Sequence, residues 1–256
     1  MKAMHDVPSI DQILQGNQLA LARAITLAER QDPEVRELLD KVKERAGGAF
    51  RVGITGPPGV GKSSLLREVA RRIRESGERL AIIAADPVSP RSGGALLGDR
   101  FRLAALAQDE GLFFRSVAHR GPSGEPCAAV DLAANILDSG GFPWLFFETV
   151  GVGQADVHAL RGSHLKVLIH SPDGGDEIQM MKAGLVETVD LHVVSKCDRS
   201  GGRAWAEQLA ATLACKDKEI RVLGVSATTG EGLDELVEEL KKSRERQNEK
   251  AGRTST

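Results

Sequence analysis

The stretch GITGPPGVGKSS sets Gly56, Gly59 and Gly61 directly before Lys62, Ser63 and Ser64. Glycines so placed let a backbone curl closely around an oxyanion. Successive N–H groups, that of Val60 among them, then point inward beside the positive end of a following helix. The natural guest of such a loop is the phosphate tail of a nucleotide. Lys62 would add a compact positive charge to the β- and γ-phosphates, Ser63 would ligate Mg²⁺ through its hydroxyl, and Ser64 would donate to the α-phosphate. The spacing is GxxxxGK[ST], and it carries meaning where a strand precedes it and a helix follows.

Both elements are legible. Residues 51 to 55 read as a short buried strand, and an apolar-periodic helix follows the loop and is closed by Gly77. ERLAIIAADP reads as a second buried strand ending in Asp86, whose carboxyl end should lie near the phosphates. The loop PVSPRSGGALLGDR, with Gly93, Gly94, Gly98 and Asp99, is too rich in glycine for a helix and too polar for a core strand. At this position it is a candidate nucleotide-sensing switch. After the strand LFFRSV and a helix from about Cys127 to Leu137, FPWLFFETVGVGQ supplies a very apolar strand with a charged end. Its Glu148 can hold Mg²⁺ directly or through water, and the Gly151 N–H can sense a γ-phosphate.

KVLIHSP is a further strand, opening into an acidic loop with Asp173, Asp176 and Glu177, and Lys182 farther on. This is either a capped, solvated helix start or a third mobile loop. DLHVVSKCDRSGG ends a strand in Ser195, Lys196, Cys197 and Asp198. An aspartate carboxylate accepts both guanine N1–H and the exocyclic amine, a pair that adenine does not offer in that arrangement. Lys196 would lie along the base and brace the glycine loop. After a helix from about Arg203 to Cys215 and the strand IRVLGVS, Ser226 and Ala227 resemble the SAK-type element that offers a backbone N–H to guanine O6, with threonine in its third position. A capped amphipathic helix follows, turning Leu233, Leu236, Val237 and Leu240 inward.

The remaining chain bounds the answer. Residues 9 to 45 carry helical periodicity for two or three helices with no catalytic constellation, so packing against the sheet or a partner is their expected role. SRERQNEKAGRTST lacks an apolar face and reads as a frayed tail. The expectation is one α/β domain with a mostly parallel central sheet flanked by helices. Residues 1–48 form a helical extension, 49–240 the nucleotide-binding domain and 241–256 a short disordered tail. A net charge of −2 argues against a nucleic-acid surface. No apolar run approaches a membrane span, and the N-terminus lacks a secretory signal. Three scattered cysteines make no disulfide framework, and the six histidines stand alone without metal-ligand spacing. A reducing, cytoplasmic setting is therefore expected.

Taken in order, GITGPPGVGKSS, ADPVSPRSGGALLGDR, FETVGVGQ, SPDGGDEIQMMK, SKCD and VSATTGEGLDEL resemble the MeaB/ArgK branch of the SIMIBI-class P-loop GTPases, from about Gly16 to Leu240. The resemblance implies GTP or GDP with Mg²⁺ as ligands. It also implies service as a GTP-hydrolysing chaperone of an adenosylcobalamin-dependent acyl-CoA mutase, chiefly methylmalonyl-CoA mutase, with a cobalamin adenosyltransferase as a further partner. Lys62 and Ser63 fall on the phosphate and metal positions, and Asp86, Asp99 and Glu148 on acidic positions around the metal and the attacking water. Gly151 and Gln154 fall in the switch after Glu148, 173 to 182 on the loop that signals to the mutase, and Lys196, Asp198 and Ala227 on guanine contacts. Ser195 stands where the family has asparagine, which implies a less firmly braced loop and lower guanine affinity. The stretch AHRGPSGEP lacks the family's serine- and glycine-rich loop. A homodimer is a further expectation, although the chain stops soon after Leu240, where many relatives continue into a helical dimerisation arm. The competing readings are a nickel-metallochaperone GTPase of the same superfamily, a kinase of the ArgK type, and a guanine-nucleotide binding module that barely hydrolyses its ligand.

Overall fold

The computed structural model describes residues 7–87, 109–119, 128–149, 160, 162–173, 188–214 and 220–254. The chain opens with α1 (Ile10–Leu14), α2 (Gln18–Glu29) and α3 (Arg36–Lys43). The sheet region then runs β1 (Phe50–Thr55), α4 (Lys62–Glu75), β2 (Leu80–Pro87), β3 (Leu112–His119), α5 (Ala128–Ser139), β4 (Trp144–Thr149) and β5 (Leu165–His170). It closes with β6 (Leu191–Val194), α6 (Gly202–Ala214), β7 (Arg221–Gly224) and α7 (Leu233–Thr254).

The strands form one seven-stranded sheet in the order β3-β2-β4-β1-β5-β6-β7. Every pairing is parallel, so the expectation of a mostly parallel sheet is met in full among the described residues. Parallel strands must be covered on both faces, and the two-residue alternation of each strand sorts its side chains accordingly. Phe50, Val52 and Ile54 of β1 share one face with Trp144 and Phe146 of β4 and with Val167 and Ile169 of β5. Leu65, Leu66, Val69 and Ile73 of α4 and Leu236 and Leu240 of α7 close this core. Ala81, Ile83, Leu145 and Phe147 point the other way, onto α5 and the N-terminal helices through Leu21, Ile25, Leu38 and Val42. The N-terminal helices thus pack on the sheet side of the molecule as expected. They are further held by the Arg115–Glu29 ion pair at 2.6 Å, and the linker after α3 by Asp138 accepting from the Gly47 and Ala49 N–H groups.

Strand β1 lies between β4 and β5, and its carboxyl end leads straight into the glycine loop. In an open parallel sheet the crevice for a ligand forms at the carboxyl edge where strand order reverses, and here β1 marks that point.

The C-terminal segment corrects the expectation of a disordered tail from residue 241. Helix α7 continues to Thr254. Ser243 is buried, the Arg244 guanidinium lies 4.3 Å from the centre of the Trp144 ring and pairs with Glu78, and Arg246 bonds the buried Glu239 at 2.6 Å. Arginine stems cover apolar surface while their heads stay paired or wet, so a helix face without apolar residues still docks.

Two histidines that look isolated in the sequence form a pair. His170 ends β5 and His192 lies in β6, on the face that carries Leu168. Their rings stack 5.1 Å apart, His170 Nε2 and His192 Nδ1 share a hydrogen bond at 2.8 Å, and Trp205 of α6 covers His170. Burial, and secondarily the neighbouring His192, lowers the His170 pKa from 6.5 to about 3. The unfolded chain therefore binds a proton that the folded chain refuses between pH 6.5 and 3. This contribution to stability is complete above pH 6.5 and is lost as pH falls, by about 1.4 kcal/mol per pH unit. Denaturant titrations at pH 7 and pH 5 should show a loss of about 2 kcal/mol from this group. His170→Gln should flatten that slope, and an unchanged slope would show that His170 does not carry it.

Candidate functional site

The glycine loop closes between the end of β1 and the start of α4. Gly56, with φ 154°, is there for close packing: a Cβ would lie 2.5 Å from the Ile169 carbonyl oxygen. Gly59 and Gly61 are there for conformation, at φ 79° and 100°, with nothing within 4 Å of where a Cβ would stand. They bound an open cradle. Gly61 is the N-cap of α4, so the first N–H groups of that helix face the same space.

Lys62 and Ser63, each 8% exposed, sit inside this turn. The Lys62 ammonium donates to the carbonyls of Gly56 at 2.7 Å and Pro57 at 3.1 Å, spanning the loop it belongs to. Alternation along β4 puts Glu148 on the face of Trp144 and Phe146, toward α4. There its carboxylate accepts a 2.8 Å hydrogen bond from the Ser63 hydroxyl in a buried setting. Thr149, one residue on, joins Thr55 at 2.9 Å and locks the ends of β4 and β1 together. A hydroxyl and a carboxylate adjoining a phosphate cradle are hard oxygen donors of the kind Mg²⁺ takes, so the residues present fit that ion. Ser64 is exposed at the mouth of the turn.

The base-reading candidates converge from the next two strand ends. The expectation that Ser195 leaves the loop less firmly braced is not met: its buried hydroxyl lies 2.5 Å from the Val60 carbonyl and 2.8 Å from that of His170. One hydrogen serves two acceptors, and the loop is tied to β6. Lys196, held at φ 58°, donates to the Gly59 carbonyl at 2.8 Å and so braces the loop as expected. Asp198 is exposed and makes no hydrogen bond or ion pair among the described residues. Ser226 organises its own turn, its hydroxyl accepting from the N–H groups of Thr228 and Thr229 at 3.2 and 3.1 Å. The Ala227 N–H is left without an acceptor among the described residues.

Some candidates lie outside the described residues: Asp99, Gly151, Gln154 and positions 174 to 182. Asp86 is placed only as backbone at the carboxyl end of β2, in register with Ala118. Asp173 is described, and it ion-pairs with Lys196 at 3.5 Å and with Arg199, joining the start of its loop to the turn after β6. Cys197 has a structural role that its sequence neighbours do not announce. Its N–H donates to Val225 at 3.0 Å and its buried thiol, whose pKa burial raises, packs where a Gly224 Cβ would stand. Replacing Ser195 with Ala takes the hydroxyl donor from the Val60 carbonyl, while the His170 carbonyl keeps the backbone N–H of position 195 at 2.9 Å. Ser195→Ala should cost about 1–3 kcal/mol in denaturant unfolding and weaken nucleotide affinity about tenfold, measured by calorimetric titration. Unchanged affinity would count against the brace.

Comparison with known proteins agrees with this geometry. The family model described as methylmalonyl Co-A mutase-associated GTPase MeaB matches residues 21–256. A Pyrococcus abyssi protein named as a GTPase is 40% identical over 243 residues, covering 92% of this chain and 75% of that protein. GTPase ArgK of Escherichia coli K12 is 34% identical over 240 residues, covering 89% of this chain and 72% of that protein. Among solved structures, LAO/AO transport system kinase superposes with a TM-score of 0.69 and 25% identity over 96% of this chain and 81% of its own. With a glycine loop, a buried Ser63–Glu148 pair and the turns after β6 and β7 assembled at one sheet edge, the chain belongs to the MeaB family of P-loop GTPases.

Proposed function

We propose that this GTPase is a chaperone that gates cofactor loading or protection of an adenosylcobalamin-dependent acyl-CoA mutase, methylmalonyl-CoA mutase or a relative. The partner class is supported by the family's description as mutase-associated. The observation that carries the nucleotide half is the buried Ser63–Glu148 contact beside Lys62, under a loop whose carbonyls are pinned by Lys62, Ser195 and Lys196.

In this reading water attacks the γ-phosphorus in line. The new oxygen–phosphorus bond forms as the bond to the β–γ bridging oxygen breaks, and GDP leaves with the electron pair. Lys62 and the N–H groups of the loop offset the charge that grows on the bridging and terminal oxygens. Ser63 and Glu148 would hold Mg²⁺, with Asp86 and Asp99 as further acidic candidates; when bound, the ion neutralises phosphate charge. Gln154 orients the water and Gly151 reports the γ-phosphate through its N–H. Asp198 accepts from guanine N1–H and the amine, and the Ala227 N–H donates to O6. The output is conformational: the glycine-rich loop around Asp99 and the loop from 173 to 182 are ordered by the γ-phosphate and released on hydrolysis. Asp173 supports a route for that signal, since it touches Lys196, which also touches the loop.

Single-turnover GTP hydrolysis, with and without purified methylmalonyl-CoA mutase, tests both halves. Hydrolysis should be slow alone and accelerate with the mutase, and Lys62→Ala should slow it by at least about 100-fold. Turnover indifferent to Lys62→Ala would overturn the assignment of the site. Cleavage absent with and without the mutase would favour a binding module over a GTPase switch.

A further inference from the structure

A cleft of about 550 Å³ opens between the first turns of α4 and the turn after Ser226, with Ser64, Arg67, Arg71, Ala227, Thr228 and Thr229 among its lining residues. Ser64, which follows the glycine loop, and Ala227 both line it. Three arginines of α4 border it, and two are committed. Arg71 is held by Glu68 and Glu75, and Arg72 by Asp234 at 2.7 Å and Glu68 at 3.5 Å. Arg67 meets Glu68 only through Nε, at 3.4 Å, and its side chain is 43% exposed. Its two terminal nitrogens donate to nothing among the described residues.

We infer that Arg67 reads the O6/N7 edge of the guanine base, an inference that rests on the guanine-nucleotide reading of this site. Guanine carries two acceptors side by side on that edge, and a guanidinium fork matches them with two parallel hydrogen bonds. Adenine puts an amine donor in place of O6 and repels one arm of the fork. The other groups near that edge leave room for this role. The Ser195 hydroxyl is engaged with the Val60 and His170 carbonyls and cannot serve N7, and Ala227 supplies a single N–H. Arg67 therefore supplies donors toward that edge that Ser195 does not.

Calorimetric titration of the full chain with GDP, 7-deaza-GDP and ADP tests this, because 7-deaza-GDP lacks the N7 acceptor and keeps O6 and the phosphates. Arg67→Ala should weaken GDP binding about ten- to a hundredfold and 7-deaza-GDP binding several-fold less, narrowing the preference for GDP over ADP. Arg67→Lys, a point charge without a fork, should recover only part of the loss. No loss for GDP, or equal losses for GDP and 7-deaza-GDP, would overturn the inference, the second outcome marking Arg67 as a general cation for the phosphates. A wild-type protein without affinity for GDP would instead overturn the guanine reading beneath it.

Discussion

The glycine loop keeps its shape because its carbonyls are held from outside. The oxygens of Gly56 and Pro57 accept from Lys62, that of Gly59 from Lys196 and that of Val60 from Ser195. A glycine-rich turn has many backbone states to lose, and each pinned carbonyl removes some of them in advance. Fixing the carbonyl of a peptide also fixes the direction of the N–H on its far side. The donors that would meet a phosphate are thus oriented before a nucleotide arrives, which is what makes electrostatic stabilisation inexpensive at the moment of reaction.

Two of those donors come from the end of β6, separated from the loop by about 135 positions in the chain. The parallel sheet makes the meeting possible. Its strands deliver their carboxyl ends to one edge, and the alternation within each strand decides which side chain turns toward α4. Glu148 reaches Ser63 for this reason, and Thr149, pointing the other way, is available to tie β4 to β1. The glycine loop and the turn that begins at Ser195 are therefore one braced unit, and Asp173 attaches the beginning of a neighbouring loop to it.

Most of this was legible from residue types and spacing. The strands are short apolar runs, and each run read as a strand is one. The glycine spacing predicts the turn that is seen, and Ser63 and Glu148, singled out from their types and positions, are in contact. What escaped reading depends on partners far away in the chain. Nothing near Ser195 says that its hydroxyl meets Val60, and nothing near His170 says that a second imidazole lies 2.8 Å from it on the neighbouring strand. The last turns of α7 escaped for a different reason: their stabilisation lies in arginine stems and in a buried Glu239 bridged by Arg221 and Arg246, which a hydrophobic pattern does not register.

The strand order has a kinetic consequence. Since β1 is bracketed by β4 and β5, the central strand gains its neighbours only when segments roughly a hundred residues apart have been brought together, and parallel pairings of that span close slowly. The glycine loop can be synthesised early, yet the carbonyl of Val60 has no hydroxyl to meet until β6 is in place. Nucleotide affinity is then a property acquired near the end of folding, and a bound nucleotide reports that the whole sheet has formed.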